Sequence, residues 1–205
     1  MKRFGFLFAL AAIEMALLSG AQATDPQDPD WPCVQPKVPE MSAATMWDGP
    51  SIADVGTTWQ DDPKVKELVE RIAARRTPVD AATKAVAEFI TGTPAEKQDK
   101  AKLVFAGMFS TLSQERGDVL DGLDRVSRNE KSLGDKIRSD VTELRSLEDN
   151  PTADQAKVQT LANEVEWSTR IFEDRRKTIR YVCEVPTTIE QRVFTLARAI
   201  QQTLN

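Results

Sequence analysis

Apolar residues recur in alternating steps of four and three along the second half of the chain. From Phe105 to Leu147 the steps reach thirteen positions, of which ten are apolar. These positions are Phe105, Phe109, Leu112, Arg116, Val119, Leu123, Val126, Glu130, Leu133, Ile137, Asp140, Leu144 and Leu147. An average step of 3.5 residues is the spacing of a coiled-coil seam. The pattern therefore predicts a long helix whose apolar stripe packs on another helix.

The same rhythm resumes after a short break at Asp149-Asn150-Pro151. It continues through Val158, Leu161, Val165, Ser168, Phe172, Arg175, Ile179 and Val182. Pro151 cannot continue the first helix but suits the start of the next, and Thr152 with Gln155 has capping-box spacing. A short connection between two long helices favours an antiparallel hairpin. We therefore predict a coiled-coil arm over about residues 118–183.

Polar residues interrupt this predicted seam. If the turn of an antiparallel hairpin is centred on residue 150, residues equally far from it along the two helices lie opposite each other. This alignment places Arg175 near Asp121 and Asp124, and Glu130 near Ser168 and Arg170. Buried polar residues in a coiled coil fix its register at a cost in stability. The alternative is a seam that stays open to a partner.

The first residues have the pattern of an export signal. Lys2 and Arg3 precede an apolar run over 4–18, and Ala21-Gln22-Ala23 forms a small-residue cleavage site. We predict that residues 1–23 are a signal peptide and that the protein is periplasmic. Glu14 within the run leaves an uncleaved anchor as the alternative, and only then would the chain contact the membrane.

The chain contains two cysteines, Cys33 and Cys183, and no histidine. In an exported protein an even count predicts a disulfide. This bond would close a loop of about 150 residues and stabilise the fold by roughly 4–5 kcal/mol. Without histidine or a C-x-x-C pair, the thiols are poor metal ligands, so we expect neither a metal nor a cofactor.

Residues 24–61 form a proline-rich block that we expect to be an extended strap. Its prolines disfavour regular helix, yet it carries three of the four tryptophans: Trp31, Trp47 and Trp59. A disordered linker rarely contains so many aromatic residues. We predict that the strap lies across the helices with its tryptophans in the core. The alternative is an aromatic ligand-binding surface. Asp25, Asp28 and Asp30 could hold calcium loosely, but they lack the glycine and glutamate of an EF-hand loop.

Residues 62–205 are predicted to form an all-α domain: a helical base that carries the arm. Asp62-Pro63, Thr93 with Glu96, and Thr187 with Glu190 are helix-start signals. The first long helix is predicted to extend beyond the end of the second. Its apolar residues near 103–112 must therefore be covered by the shorter helices.

Enzymatic signals are weak, and we expect the protein not to be an enzyme. The chain lacks histidine and contains no G-x-S-x-G, P-loop or G-x-G-x-x-G motif, so no catalytic residue is assigned. Its net charge is −5, and −6 without residues 1–23. An acidic, exported chain is a poor candidate for nucleic-acid binding.

A basic cluster marks the second arm helix near the base. It comprises Arg170, Arg175, Arg176, Lys177 and Arg180. Acidic neighbours make a solvated helix face the ordinary interpretation. The functional alternative is a site for an acidic partner or for lipid headgroups.

The strap contains a segment that resembles uncharacterised exported proteins of proteobacteria. It reads Asp30-Trp31-Pro32-Cys33-Val34-Gln35-Pro36-Lys37-Val38-Pro39-Glu40, followed by Met46-Trp47-Asp48-Gly49-Pro50. The resemblance implies a bacterial periplasmic setting and no particular activity. The segment 186–192 is also similar to the L-T-x-x-Q motif of small periplasmic helical chaperones, although it lacks the leucine.

Three functions follow as hypotheses. The first is a non-enzymatic scaffold protein that binds another envelope protein through its hairpin, and the second is a periplasmic chaperone or stress adaptor. The third is a small-ligand binder or enzyme that uses the tryptophan-bearing strap. An open apolar stripe would favour the first, a concave apolar cradle the second, and a pocket holding a tryptophan the third.

Overall fold

The computed structural model describes residue 28 and residues 30–205, and this part of the chain forms five α-helices and no strand. The helices are α1 (Pro63–Ala73), α2 (Val79–Phe89), α3 (Pro94–Glu148), α4 (Gln155–Val182) and α5 (Val185–Gln202). Two single 3-10 turns, Ala43–Thr45 and Thr58–Gln60, lie in the otherwise irregular strap. The predicted all-α fold is confirmed. The predicted signal peptide, residues 1–23, lies outside the described residues.

Two helix starts follow the predicted capping chemistry. The Asp62 carboxylate accepts hydrogen bonds from the backbone N–H groups of Lys64 and Val65 at the start of α1. Thr93 and Glu96 form a reciprocal capping box at the start of α3. Such caps satisfy backbone donors that have no partner inside the helix. Local sequence therefore fixes where α1 and α3 begin.

The base is built from α1, α2, α5 and the first part of α3. Phe105, Met108 and Leu112 of α3 are fully buried at its centre. The strap closes this core, because Trp47 stacks on Phe105 with ring centroids 4.3 Å apart. Trp59 lies so close to Gly107 that a Cβ there would come within 2.8 Å of the indole. The shorter helices and the strap thus cover the apolar part of α3, as expected.

A buried arginine ties α5 to the end of α1. Arg192 donates to the carbonyl of Ile72 from Nε and Nη2, at 2.9 and 2.6 Å, and to the carbonyl of Thr77 at 2.9 Å. Burial lowers the pKa of Arg192, and the charge of Glu115 opposes that effect. The guanidinium satisfies the Ile72 carbonyl, which the end of α1 leaves without a partner inside the helix, and a carbonyl of the connection to α2.

The connection between α3 and α4 is longer than predicted. It covers residues 149–154, and the Asn150 side chain accepts hydrogen bonds from both the N–H and the hydroxyl of Thr152. The predicted start of α4 at Thr152 is therefore wrong. Asp154 is the N-cap, and its carboxylate accepts from the N–H of Ala156 at 2.9 Å.

The predicted start of the last helix is also wrong. α5 begins at Val185, directly after α4, and its N-cap residue Glu184 makes no side-chain capping bond. Glu190 does not cap Thr187; its carboxylate instead accepts a hydrogen bond from Arg116 of α3 at 2.7 Å. A partner from another helix has displaced the expected local one.

Candidate functional site

The strap is fastened to the root of the hairpin by the predicted disulfide. Cys33 and Cys183 are bonded, with their Cα atoms 5.5 Å apart. Trp31, two residues earlier in the chain, packs in the same small apolar cluster as Leu123 and Ile179. The bond therefore holds the strap against both helices of the hairpin.

Ion pairs continue this attachment along α3. Lys37 binds Asp28 at 2.8 Å and Asp124 at 2.7 Å. The hydrogen bonds to Asp124 and Asp28 raise the pKa of Lys37, and the bond from Lys37 lowers the pKa of Asp28. Lys131 binds Asp30 at 2.6 Å, and this hydrogen bond raises the pKa of Lys131. Asp28 and Asp30 thus bind lysines, while Asp25 lies outside the described residues.

Arg116 is a seam position that serves the strap instead of the hairpin. Its guanidinium is buried and donates to Glu190 of α5 and to the backbone carbonyls of Val38 and Pro39. One side chain therefore joins α3, α5 and the strap. The sequence interpretation of the polar seam positions as register-fixing residues missed these partners of Arg116.

The hairpin is antiparallel, but its register differs from the prediction. Arg175 lies 3.3 Å from the carboxylate of Glu130, not beside Asp121 or Asp124, and Glu130 does not pair with Arg170. The pairing of residues 130 and 175 centres the hairpin between residues 152 and 153, not on residue 150 as predicted. The centre is displaced because the connection between the helices is longer than predicted. Glu130 is buried, and its second carboxylate oxygen has no hydrogen-bond partner.

The coiled-coil seam opens beside this pair. Of the thirteen predicted seam positions on α3, all are buried or half-buried except Val126, which is 40% exposed. Arg175 is the one exposed seam position on α4. Since the α4 seam position at this level is a charged and exposed arginine, Val126 is left partly uncovered. A groove of about 540 Å³ results, here called the seam groove, and its apolar lining is Val119, Leu123, Val126, Ile179 and Val182.

A second opening lies across the seam, between the hairpin and the strap. This strap cleft has a volume of about 440 Å³. Trp31, Phe172 and Ile179 form its apolar walls. Its cations come from two helices: Lys131 and Arg138 from α3, and Arg176 and Arg180 from α4. The sequence interpretation named only the α4 cations, because the α3 cations join them only in the folded hairpin.

The five predicted partner-binding residues do not form one patch. Arg170 pairs with Glu166 at 2.9 Å, and Lys177 pairs with Asp174 at 3.1 Å. Arg175 lines the seam groove, whereas Arg176 and Arg180 line the strap cleft. Arg170 and Lys177 belong to a solvated helix face, and the other three cations are divided between two openings.

The strap tryptophans are buried, in agreement with the strap interpretation. The indole N–H of Trp31 donates to the carbonyl of Gln35, and that of Trp47 donates to the carbonyl of Pro50, each at 2.7 Å. Trp47 and Trp59 belong to the base core, whereas Trp31 borders the strap cleft. Two of the three are therefore structural.

Within the described residues, no group of three or more potential metal ligands comes together. No helix in that part of the chain is long and apolar enough to span a bilayer. Comparisons with known proteins find no matching family model, no similar curated protein and no similar solved structure.

Proposed function

We propose that the protein is a non-enzymatic scaffold protein of the periplasm whose hairpin binds an amphipathic helix of another envelope protein. The observation that carries the proposal is the seam groove. Five apolar seam residues line it, and Val126 is exposed where the partner helix α4 contributes the charged Arg175 instead of an apolar residue.

The shape of the groove suits a third helix. Two adjacent helices present two parallel ridges, and a helix laid between them completes a three-helix coiled coil. From Val119 to Glu130 the groove spans about 16 Å along α3, which is three helical turns. A partner helix with apolar residues at positions i, i+3 or i+4, and i+7 would reach Val126, Leu123 and Val119 in succession.

A positive charge at the rim of the groove favours a partner helix that carries an acidic residue. Arg175 pairs with buried Glu130, yet its own side chain remains 55% exposed. An acidic residue on the docking helix would therefore find a guanidinium with free donors at the edge of the groove. Trp167, 62% exposed farther along α4, offers a second apolar contact on the arm.

The disulfide supports the proposed location. Disulfides persist in oxidising compartments and are rare in the cytosol. An exported chain with the predicted signal segment at residues 1–23 would meet those conditions in the periplasm. The strap would then hold the root of the hairpin while the arm projects toward its partner.

Site-specific photo-crosslinking tests the proposal. A photoreactive amino acid replaces Thr178, which is exposed and lines the groove, in the full-length protein expressed in its native cells. A control probe replaces Glu173, which is exposed on the same helix outside the groove. We expect one adduct of defined mass from position 178 only, and mass spectrometry identifies the partner segment.

Val126→Asp, added to the Thr178 probe, should abolish this adduct without unfolding the protein, because Val126 is not part of either core cluster. Circular dichroism and thermal unfolding check the fold. The proposal is wrong if position 178 yields no adduct, if position 173 yields the same adduct, or if Val126→Asp leaves the adduct unchanged.

A further inference from the structure

We propose that the strap cleft is a binding site for a phosphate ester, with the phosphate held by Arg176 and Arg180. The cleft lies across the seam from the seam groove, so this inference stands independently of the docking proposal. It concerns a small ligand or headgroup instead of a partner helix.

The two arginines are suitably placed for a tetrahedral oxyanion. They are four residues apart on α4, so their side chains lie next to each other on one face. Among the residues that the structure describes, neither forms an ion pair, although Arg170 and Lys177 on the same helix do. Arg176 lies over the ring of Phe172, 5.7 Å from its centroid, which orients the guanidinium and leaves its edges free to donate.

Each acidic side chain at the cleft has a cationic partner, although one buried oxygen of Glu130 accepts no hydrogen bond. Asp30 binds Lys131 at 2.6 Å, and Glu130 accepts from Arg175, which reaches it from the seam-groove side. Asp135 binds Arg138 at the rim. The charges of Arg176 and Arg180 therefore remain to attract an anion, in a chain whose net charge is −5. Arginine forks match phosphate oxygens in a bidentate way.

The walls favour an ester over inorganic phosphate. Trp31, Phe172 and Ile179 give the cleft an apolar side on which an organic substituent can pack. The volume of about 440 Å³ is within the usual range of small-ligand sites. A soluble sugar or glycerol phosphate and a phospholipid headgroup share this chemistry.

The two sources can be separated with the intact, disulfide-bonded protein. Isothermal titration calorimetry with glycerol 3-phosphate measures binding of a soluble ester. Co-sedimentation with vesicles of phosphatidylglycerol and phosphatidylcholine measures binding of a headgroup, with pure phosphatidylcholine vesicles as the blank. Saturable binding in the first assay assigns a soluble ester, and binding to anionic vesicles alone assigns a lipid headgroup; either result supports the site.

The variant R176Q/R180Q should weaken binding at least about 30-fold, because it removes both forks. The control R170Q/K177Q removes two charges from the same helix outside the cleft and should retain affinity within about twofold. All four side chains are exposed, so both variants should fold, which far-ultraviolet circular dichroism confirms. The proposal is overturned if neither probe binds saturably below about 10 mM, or if the two double variants weaken binding equally.

Discussion

Replacement of Arg116 tests whether one buried guanidinium holds the strap, α3 and α5 together. Its side chain is 4% exposed. Nε donates to Glu190 at 2.7 Å, Nη2 to the carbonyl of Val38 at 2.7 Å, and Nη1 to the carbonyl of Pro39 at 3.3 Å. Arg116→Met keeps much of the apolar volume and removes all three bonds. Arg116→Lys keeps the charge but cannot reach three acceptors at once.

The expected magnitude follows from these contacts. A hydrogen bond to a charged group contributes about 1.5–3 kcal/mol. The three do not add fully, because Glu190 is 36% exposed and regains water, and the contact with Pro39 is long. We therefore expect Arg116→Met to lower the free energy of unfolding by about 3 kcal/mol and Arg116→Lys by about 2 kcal/mol. Glu190→Gln, which leaves both carbonyl contacts intact, should cost less than about 1 kcal/mol.

Urea denaturation followed by tryptophan fluorescence measures these differences, since three tryptophans lie buried in the strap. The dependence of the unfolding free energy on urea should stay unchanged if only stability is affected. The reasoning fails if Arg116→Met is within about 0.5 kcal/mol of the parent protein, or if Glu190→Gln costs as much as Arg116→Met.

Three further predictions concern stability. Reduction of the disulfide should lower the free energy of unfolding by up to about 5 kcal/mol on the chain-entropy model, and urea denaturation with and without reductant measures the loss. Gly107→Ala should destabilise the protein by about 1–3 kcal/mol, because the new Cβ would come within 2.8 Å of an indole ring. Gly117→Ala should stabilise it by up to about 1 kcal/mol, because nothing lies within 4 Å of that Cβ and alanine favours the helix. Thermal unfolding compares the two, and equal shifts would contradict the packing. Because the pKa of Lys37 is raised in the folded state, its contribution is full at neutral pH and is lost as pH rises through that pKa. The stability difference between the parent protein and Lys37→Met should shrink at strongly alkaline pH, and a constant difference would refute the assignment.

Local and periodic features were predictable from the sequence. The step of 3.5 residues identified a stripe of α3 that is buried or half-buried along its length, with Val126 as the exception. The caps at Asp62 and at Thr93 were predictable because their partners are within three residues. The disulfide followed from there being two cysteines and an export pattern. In each case the partner residue is either close in sequence or the one candidate of its kind.

Features that depend on a choice among several distant partners were not predictable. The register of the hairpin depends on the length of its connection, and three extra residues there moved the partner of Arg175 to Glu130. Glu190 has two possible partners, one local and one on α3, and sequence spacing cannot rank them. An open seam and an aromatic ligand-binding surface were only alternatives, and the positions of the two openings could not be predicted. The residues that line them become neighbours only when α3 and α4 pair and, for the strap cleft, when the strap joins them.

The disulfide has a consequence for synthesis. Cys33 emerges 150 residues ahead of Cys183, and at usual elongation rates the interval is about 8–30 s. Throughout that time the first thiol has no other cysteine within its own chain to react with. A premature disulfide can therefore form only between two nascent molecules or with an outside thiol, never as a wrong pairing within one chain.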